Sequence, residues 1–232
     1  MTKVLMVVSA ADHWTLNDGT LHPTGFWAEE LVTPYSVFTD AGWDVDVATP
    51  GGKAPVVDKA SLDESAGDAD TLAEVKTKLD ELQPVLSQPL NLANVKAADY
   101  DLVFYPGGHG PMEDLAVNET SARILAERME NNTPVALLCH APAAVLATEN
   151  APSGSPFAGR KITGFSNDEE RSAGLADKAP WLLEDRLVAL GAEYDKAPEP
   201  WASYVIVDGN LYTGQNPTSS RELAERLVKD LA

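Results

Sequence analysis

Hydrophobic and polar positions in this chain alternate between short apolar runs and longer stretches with a helical period. Short β-branched runs predict buried strands, and apolar residues spaced three and four apart predict amphipathic helices. The predicted strands are Lys3–Ala10, Asp44–Pro50, Leu102–Tyr105, Val135–Leu138, Lys161–Phe165 and a pair within Tyr204–Thr213. The predicted helices are Ala28–Ala41, Leu72–Leu82, Glu119–Asn131, one beginning at Ala143–Ala147, Trp181–Leu190 and Ser219–Leu231.

Strands separated by helices are typical of parallel pairing with helices on both faces of the sheet. We therefore expect a doubly wound, mostly parallel α/β fold of the flavodoxin-like kind, formed as a single domain by residues 1–232. Residues 51–99 interrupt the alternation, because they are polar and acidic and too long for a simple connection. This segment is interpreted as an insertion, either on the surface or as a lid beside the site. Pro34 suggests a kink in its helix.

Charge and composition narrow the possible partners. The 232 residues include 17 Lys and Arg against 36 Asp and Glu, a formal net charge of −19. A surface this acidic repels phosphate backbones and anionic lipid, so we expect neither nucleic-acid nor membrane partners. The apolar run Val4–Val8 is too short for a signal peptide, and the single cysteine excludes an internal disulfide. We expect a soluble, cytoplasmic protein.

That cysteine, Cys139, directly follows the predicted strand Val135–Leu138 and precedes a predicted helix. A strand, one nucleophilic side chain and then a helix is the layout of a nucleophile elbow. The start of the helix would favour the thiolate, so the sequence predicts a reactive cysteine with a lowered pKa. The alternative interpretation is a small buried hydrophobic residue.

Other polar residues are placed to assist such a thiol. His140 is its neighbour and a candidate base, and the acid that orients it is sought in Ser166–Arg171, where the alternative role is a helix cap. Gly108 ends a predicted strand where backbone N–H groups can face an oxyanion, and His109 either polarises a carbonyl or is a plain loop residue. Glu30 either complements the start of a helix or carries a proton to the thiol.

The chain has no signature of a bound cofactor. There is no GxGxxG sequence after the first strand and no Walker loop. The histidines His13, His22, His109 and His140 lack the spacing of a metal site. We therefore expect neither an organic cofactor nor a metal.

Several motifs together resemble the PfpI / class I glutamine amidotransferase-like superfamily, and within it the heat-shock chaperone-like glyoxalase III branch. They are Ala11-Asp12-His13-Trp14, Asp18-Gly19, Thr24-Gly25, Glu30, Pro34, Pro106-Gly107-Gly108-His109-Gly110, Cys139-His140-Ala141-Pro142, Ile162-Thr163-Gly164-Phe165, Pro200-Trp201 and Thr213-Gly214-Gln215-Asn216-Pro217. The resemblance runs in order over essentially the whole chain.

The resemblance implies a role for each matching residue. Cys139 would be the nucleophile and His140 its partner, with Glu170, or the adjacent Glu169, as the triad acid. Glu30 would hydrogen-bond the thiol. The Gly108 and His140 amides would form the oxyanion hole, with His109 and Trp201 beside the substrate.

The resemblance also implies an activity, the glutathione-independent conversion of methylglyoxal, a small 2-oxoaldehyde, to D-lactate. The route would be a Cys139 hemithioacetal followed by proton transfer. The alternatives are a stress-response holdase chaperone or redox sensor, and a deglycase or an amidase/peptidase that uses the same Cys-His-Glu site. Relatives are commonly homodimers, so a homodimer is expected.

Overall fold

The computed structural model describes residues 1–232 and has a seven-stranded sheet at its centre. The strands in chain order are β1 (Lys3–Val7), β2 (His13–Thr15), β3 (Leu21–Pro23), β4 (Asp44–Thr49), β5 (Leu90–Asn91), β6 (Leu102–Tyr105), β7 (Val135–Leu138), β8 (Lys161–Ile162), β9 (Glu193–Tyr194), β10 (Val205–Asp208) and β11 (Leu211–Gly214).

The order of the central sheet is β10-β11-β7-β6-β1-β4-β5. All neighbouring strands are parallel except the β10–β11 hairpin. From β1 the chain builds first toward β4 and β5, and then returns to build β6 and β7 on the other side. The strand order therefore reverses between β1 and β6, and open α/β sheets bind ligands at the carboxyl ends of strands around such a reversal.

The helices cover the two faces of this sheet. They are α1 (Ala28–Asp40), α2 (Ala69–Glu81), α3 (Gln83–Leu86), α4 (Gly110–Glu113), α5 (Glu119–Glu130), α6 (Asn167–Ser172), α7 (Leu183–Ala189) and α8 (Ser220–Leu231). Helix α1 packs against α2 and α8, whereas α5 packs against the 3₁₀ segment Ala141–Thr148. Because parallel crossovers are right-handed, connections that run in opposite directions from β1 place their helices on opposite faces. The doubly wound, mostly parallel fold is thus confirmed.

Burial explains why the central strands read as continuous apolar runs. Every residue of β6 and β7 is buried, as expected for strands covered on both faces. None of the helices combines the length and the hydrophobicity needed to cross a lipid bilayer.

The sequence prediction did not include the short elements β5, β9, α3, α4 and α6, and it differs from the structure in three further respects. The pattern did not predict the hairpin of β2 and β3, whose strands have three residues each. Strand β8 is shorter than the predicted Lys161–Phe165 and pairs with β9 outside the central sheet, because the backbone after Ile162 turns to bond Thr213 Oγ1 and Cys139 O. The helix expected after Cys139 is the 3₁₀ segment Ala141–Thr148.

The segment 51–99 joins the sheet and its helical layer. It supplies helix α2, which packs against α1, and the edge strand β5, which pairs with β4. Asp58 and Ser61 accept hydrogen bonds from Thr24 Oγ1 and the Ala28 N–H, respectively. The segment thus braces the loop that leads into α1.

Candidate active site

Cys139 lies on a strained turn at the carboxyl end of β7. Its φ of 60° is in the left-handed region, which a cysteine adopts only when the surroundings enforce it. Its N–H donates to Gly214 O at 2.8 Å, and its carbonyl accepts from the Phe165 N–H at 2.8 Å. These two bonds hold the elbow between β11 and the segment after β8.

His140 joins this thiol to a carboxylate. The Cys139 Sγ is 3.3 Å from His140 Nδ1, and His140 Nε2 is 2.8 Å from Glu170 Oε2. Burial would raise the pKa of Glu170, but His109 and His140 beside it hold that pKa well below its usual range. The ionised carboxylate accepts the Nε2–H, so Nδ1 faces the sulfur with its lone pair.

The imidazole is neutral over the physiological range. Burial, and after it the neighbouring His109, lower the pKa of His140 to about 4. A neutral imidazole with a free Nδ1 lone pair beside a thiol can accept the thiol proton. The arrangement can therefore generate a nucleophile when a substrate arrives.

Glu30 approaches the same sulfur from the first turn of α1. Its Oε2 accepts from the Gly107 N–H at 2.7 Å, and the carboxyl lies close enough to the Cys139 thiol to influence its pKa. Its Oε1 is buried and has no hydrogen-bond partner. Complete burial raises the pKa of Glu30 to about 8, so this group can hold a proton at neutral pH.

The expected lowering of the pKa of Cys139 is wrong for this arrangement. Burial, and after it the Glu30 carboxyl, raise the pKa of the thiol, while the Gly108 N–H lowers it by a smaller amount. The turn that follows is a 3₁₀ segment, and a cysteine only 2% exposed has little water to stabilise its charge. Proton transfer to His140 and exchange with Glu30 therefore matter more than a helix terminus.

The two glycines after β6 are required by close approaches. A Cβ on Gly107 would lie 2.7 Å from Glu30 Oε2 and 2.8 Å from the backbone nitrogen of His140. Gly108 has a φ of 91°, and its N–H lies near enough to the Cys139 sulfur to lower the pKa of the thiol. The glycine pair thus lets the elbow, the carboxyl and a backbone donor meet in one place.

His109 is a second imidazole on the same carboxylate. Its Nε2 is 2.8 Å from Glu170 Oε1, its ring centroid is 4.0 Å from that of His140, and Trp14 stacks on it at 5.2 Å. This contact makes His109 part of the same buried cluster as His140. Because Nε2 is engaged, Nδ1 is the ring nitrogen that remains to face a ligand.

Trp201 and Phe165 form an aromatic wall beside the imidazoles. Phe165 lies 4.2 Å from His140 between ring centroids, and Trp201 meets Phe165 edge-on at 5.4 Å. Trp201 is 40% exposed, whereas Phe165 is buried. Phe165 was not predicted as a site residue, although its position at the end of the Ile162–Phe165 run is a signal for one.

The adjacent acids of α6 point to different partners. Glu170 faces the two histidines, as described above. Glu169 instead forms a capping box with Ser166 and also accepts from the Trp201 N–H and from Asn216 Nδ2. Neighbouring helix residues project about 100° apart, so only one of them can face His140.

One group of side chains has the geometry to hold a metal ion. Ligand atoms of His109, His140 and Glu170 all lie within 4.8 Å of one another. Both Nε2 atoms are hydrogen-bonded to Glu170, so a metal would have to replace two protons and take the carboxylate that orients His140. His13, by contrast, pairs with Asp12 and Glu113 away from this cluster.

The sheet is doubly wound, and the cysteine lies on a strained turn after one of its central strands, next to a histidine that is bonded to a carboxylate. These features define the class of α/β proteins with a cysteine elbow. Within that class the chain belongs to the DJ-1/PfpI family, whose model matches residues 21–230.

The matches to known relatives cover nearly the whole chain. It is 30% identical over 234 residues to the glutathione-independent glyoxalase HSP31 of Saccharomyces cerevisiae, covering 99% of this chain and 98% of that one. It is 29% identical over 240 residues to the protein/nucleic acid deglycase HchA of Staphylococcus aureus, covering 99% of this chain and 80% of the relative. Among solved structures, the Francisella tularensis Rapid Encystment Protein 24 kDa matches with a TM-score of 0.85 and 31% identity, covering all of both chains.

Proposed function

We propose that this protein is a glutathione-independent glyoxalase that converts methylglyoxal to D-lactate. The observation that carries the proposal is the Cys139 thiol placed 3.3 Å from His140 Nδ1, with the protonatable Glu30 carboxyl beside it. The name of the yeast relative, which is matched over nearly the full length of both chains, supports the same reaction.

The reaction begins with covalent capture of the aldehyde. The thiol proton moves to His140 Nδ1 while the sulfur adds to the aldehyde carbon, and the imidazolium then gives this proton to the new alkoxide, which yields a hemithioacetal and a neutral His140. The N–H groups of Gly108 and His140 face the oxygen that becomes negative, and Glu170 stabilises the imidazolium. Since the imidazole starts neutral, it is ready to take this proton at physiological pH.

The second stage moves a hydrogen from C1 to C2. Neutral His140, or the ionised form of Glu30, removes the C1 proton, the electron pair forms a C1–C2 double bond, and the former C2 carbonyl oxygen takes up a proton to give an enediol. Return of a proton to C2 gives the thioester of a 2-hydroxy acid, and water then releases lactate and the free thiol. The steps amount to an internal redox exchange plus addition of one water, so no external oxidant or cofactor enters the balance.

Burial of the site favours a small free substrate. Cys139 and His140 are each only 2% exposed. A three-carbon aldehyde can enter such a site more easily than an aldehyde adduct attached to a protein or nucleic acid. For this reason we favour the glyoxalase over the deglycase activity for which the Staphylococcus relative is named.

A direct comparison of substrates tests this preference. Wild-type protein is supplied with free methylglyoxal or with its preformed adduct on N-acetylarginine, and lactate is measured from the first seconds, before the adduct dissociates. We expect immediate lactate from the free aldehyde, and from the adduct only at its spontaneous rate of dissociation. Lactate formed from the adduct faster than that rate, and dependent on Cys139, would replace the glyoxalase proposal with a deglycase.

A further inference from the structure

We propose that Glu169 is a positioning residue that holds Trp201 against Phe165, and thereby sets the aromatic wall beside His140 where the substrate binds. The kinetic part of this inference rests on the proposed glyoxalase function. The structural part does not, so the two can fail separately.

The carboxylate of Glu169 is fully buried and saturated with donors. Its Oε2 accepts from the N–H and the Oγ of Ser166, both at 2.8 Å, and its Oε1 accepts from the Trp201 N–H at 2.9 Å and from Asn216 Nδ2 at 2.8 Å. No cation pairs with it. An ionised carboxylate is the side chain that can accept four such bonds, since an amide presents donors on one side.

The two oxygens have different tasks. Oε2 closes the capping box at the start of α6, which is a local contact. Oε1 instead bonds Trp201 and Asn216, which lie 32 and 47 positions further along the chain. A helix cap alone has no need of this second pair of bonds, so Oε1 points to a role outside α6.

The backbone at Trp201 needs such an anchor. Its φ of 66° is a genuine outlier for a bulky side chain. Two contacts from α6 hold it, the N–H to Glu169 and the indole N–H to Ser172 Oγ at 3.4 Å. Through its edge-on contact with Phe165, the indole borders the ring that packs on His140.

Replacing Glu169 with glutamine should therefore loosen the wall without touching the reacting atoms. We expect Glu169→Gln to raise KM for methylglyoxal about tenfold while kcat stays within about threefold. Glu170→Gln should instead lower kcat, because it removes the negative charge that stabilises the His140 imidazolium. Glu225→Gln, on the exposed face of α8, is the matched control and should change neither constant.

A double-mutant cycle tests whether Glu169 acts through Trp201. Trp201→Asn removes the indole with a residue that tolerates a positive φ, and should raise KM as much as Glu169→Gln does. If the two residues act as one unit, the double variant has the KM of either single variant. If the increase in KM of the double variant is instead the product of the two single increases, the proposal is overturned. An unchanged KM in Trp201→Asn would also overturn it, and this second test holds even if Glu169→Gln does not fold.

Tryptophan fluorescence gives a readout that needs no turnover. The protein has five tryptophans, so the Trp201 signal is obtained by subtracting the spectrum of Trp201→Asn from that of its parent. We expect this difference spectrum to shift to longer wavelength in the Glu169→Gln background. An unshifted spectrum would show that Glu169 does not hold the indole, whether or not methylglyoxal is a substrate.

Discussion

At the scale of single residues, the central feature is a carboxyl buried against a thiol. Glu30 is fully buried, and its pKa is raised to about 8 by that burial. A group with this pKa holds a proton at neutral pH that it would have lost in the unfolded chain. The folded state therefore binds this proton more tightly than the unfolded state does.

Glu30→Gln should stabilise the fold and damage the activity. Between about pH 4.5 and 8 the unfolded chain releases the Glu30 proton and the folded chain keeps it, so this residue makes the wild type less stable as pH rises. Glutamine does not titrate. The variant should therefore gain stability over the wild type across that window, reaching roughly 2–4 kcal/mol at pH 8, while turnover falls about 100-fold.

Urea unfolding of both proteins at pH 5 and pH 8 measures this difference. If the free energy of unfolding of Glu30→Gln exceeds that of the wild type by more at pH 8 than at pH 5, the result agrees with a buried carboxyl that holds a proton. A difference between the two proteins that is constant, or that shrinks as pH rises, would contradict the assignment of the raised pKa to Glu30.

At the scale of elements, the two ends of β6 and β7 have different roles. Their carboxyl ends carry Gly107 and Cys139. Their amino ends are clamped by Arg128, a buried residue of α5 whose guanidinium donates to the carbonyls of Ala97, Tyr100, Asp101 and Pro134 at 2.7–3.2 Å. Stability and chemistry are thus separated along the same two strands.

Arg128→Met should destabilise the protein without altering its chemistry. The change leaves buried carbonyls without donors, which we expect to lower the free energy of unfolding by roughly 2–4 kcal/mol. The control is Arg123→Met, which removes only the exposed pair with Glu127 and should cost about 0.5 kcal/mol or less. Urea unfolding gives both values; equal effects of the two changes, or a lowered kcat in folded Arg128→Met, would contradict this division of roles.

The sequence was informative about elements and less so about what they bring together. The Cys139–His140 pair is adjacent in the chain, and its place after a strand could be predicted from the pattern. The choice between Glu169 and Glu170 depends on the rotation of α6, which periodicity over six residues does not determine. The sign of the pKa shift at Cys139 depends on burial and on Glu30, which arrives from a distant helix, so local reasoning about a helix terminus gave the wrong direction.

At the scale of the whole molecule, the dominant property is charge. A net charge of −19 on 232 residues repels itself in the compact state. Many of the cations are already paired at the surface, where single ion pairs contribute little. The homodimer and the cytoplasmic location stay predictions.

Added monovalent salt should therefore stabilise the fold. Raising NaCl from 0.02 to 0.5 M shortens the screening length from about 20 Å to about 4 Å, which weakens the repulsion more than it weakens short ion pairs. We expect the Tm to rise by several degrees. A Tm that falls over this range would show that ion pairs outweigh the net repulsion.

Cys139 is the residue on which the proposed reaction depends most directly. The decisive measurement is D-lactate formed from methylglyoxal in the absence of glutathione, with wild type beside Cys139→Ala and with folding checked by circular dichroism. We expect steady turnover by the wild type and, from the folded variant, no lactate above the uncatalysed rate. Lactate at an undiminished rate from Cys139→Ala, or none from folded wild type, would contradict a Cys139-dependent glyoxalase.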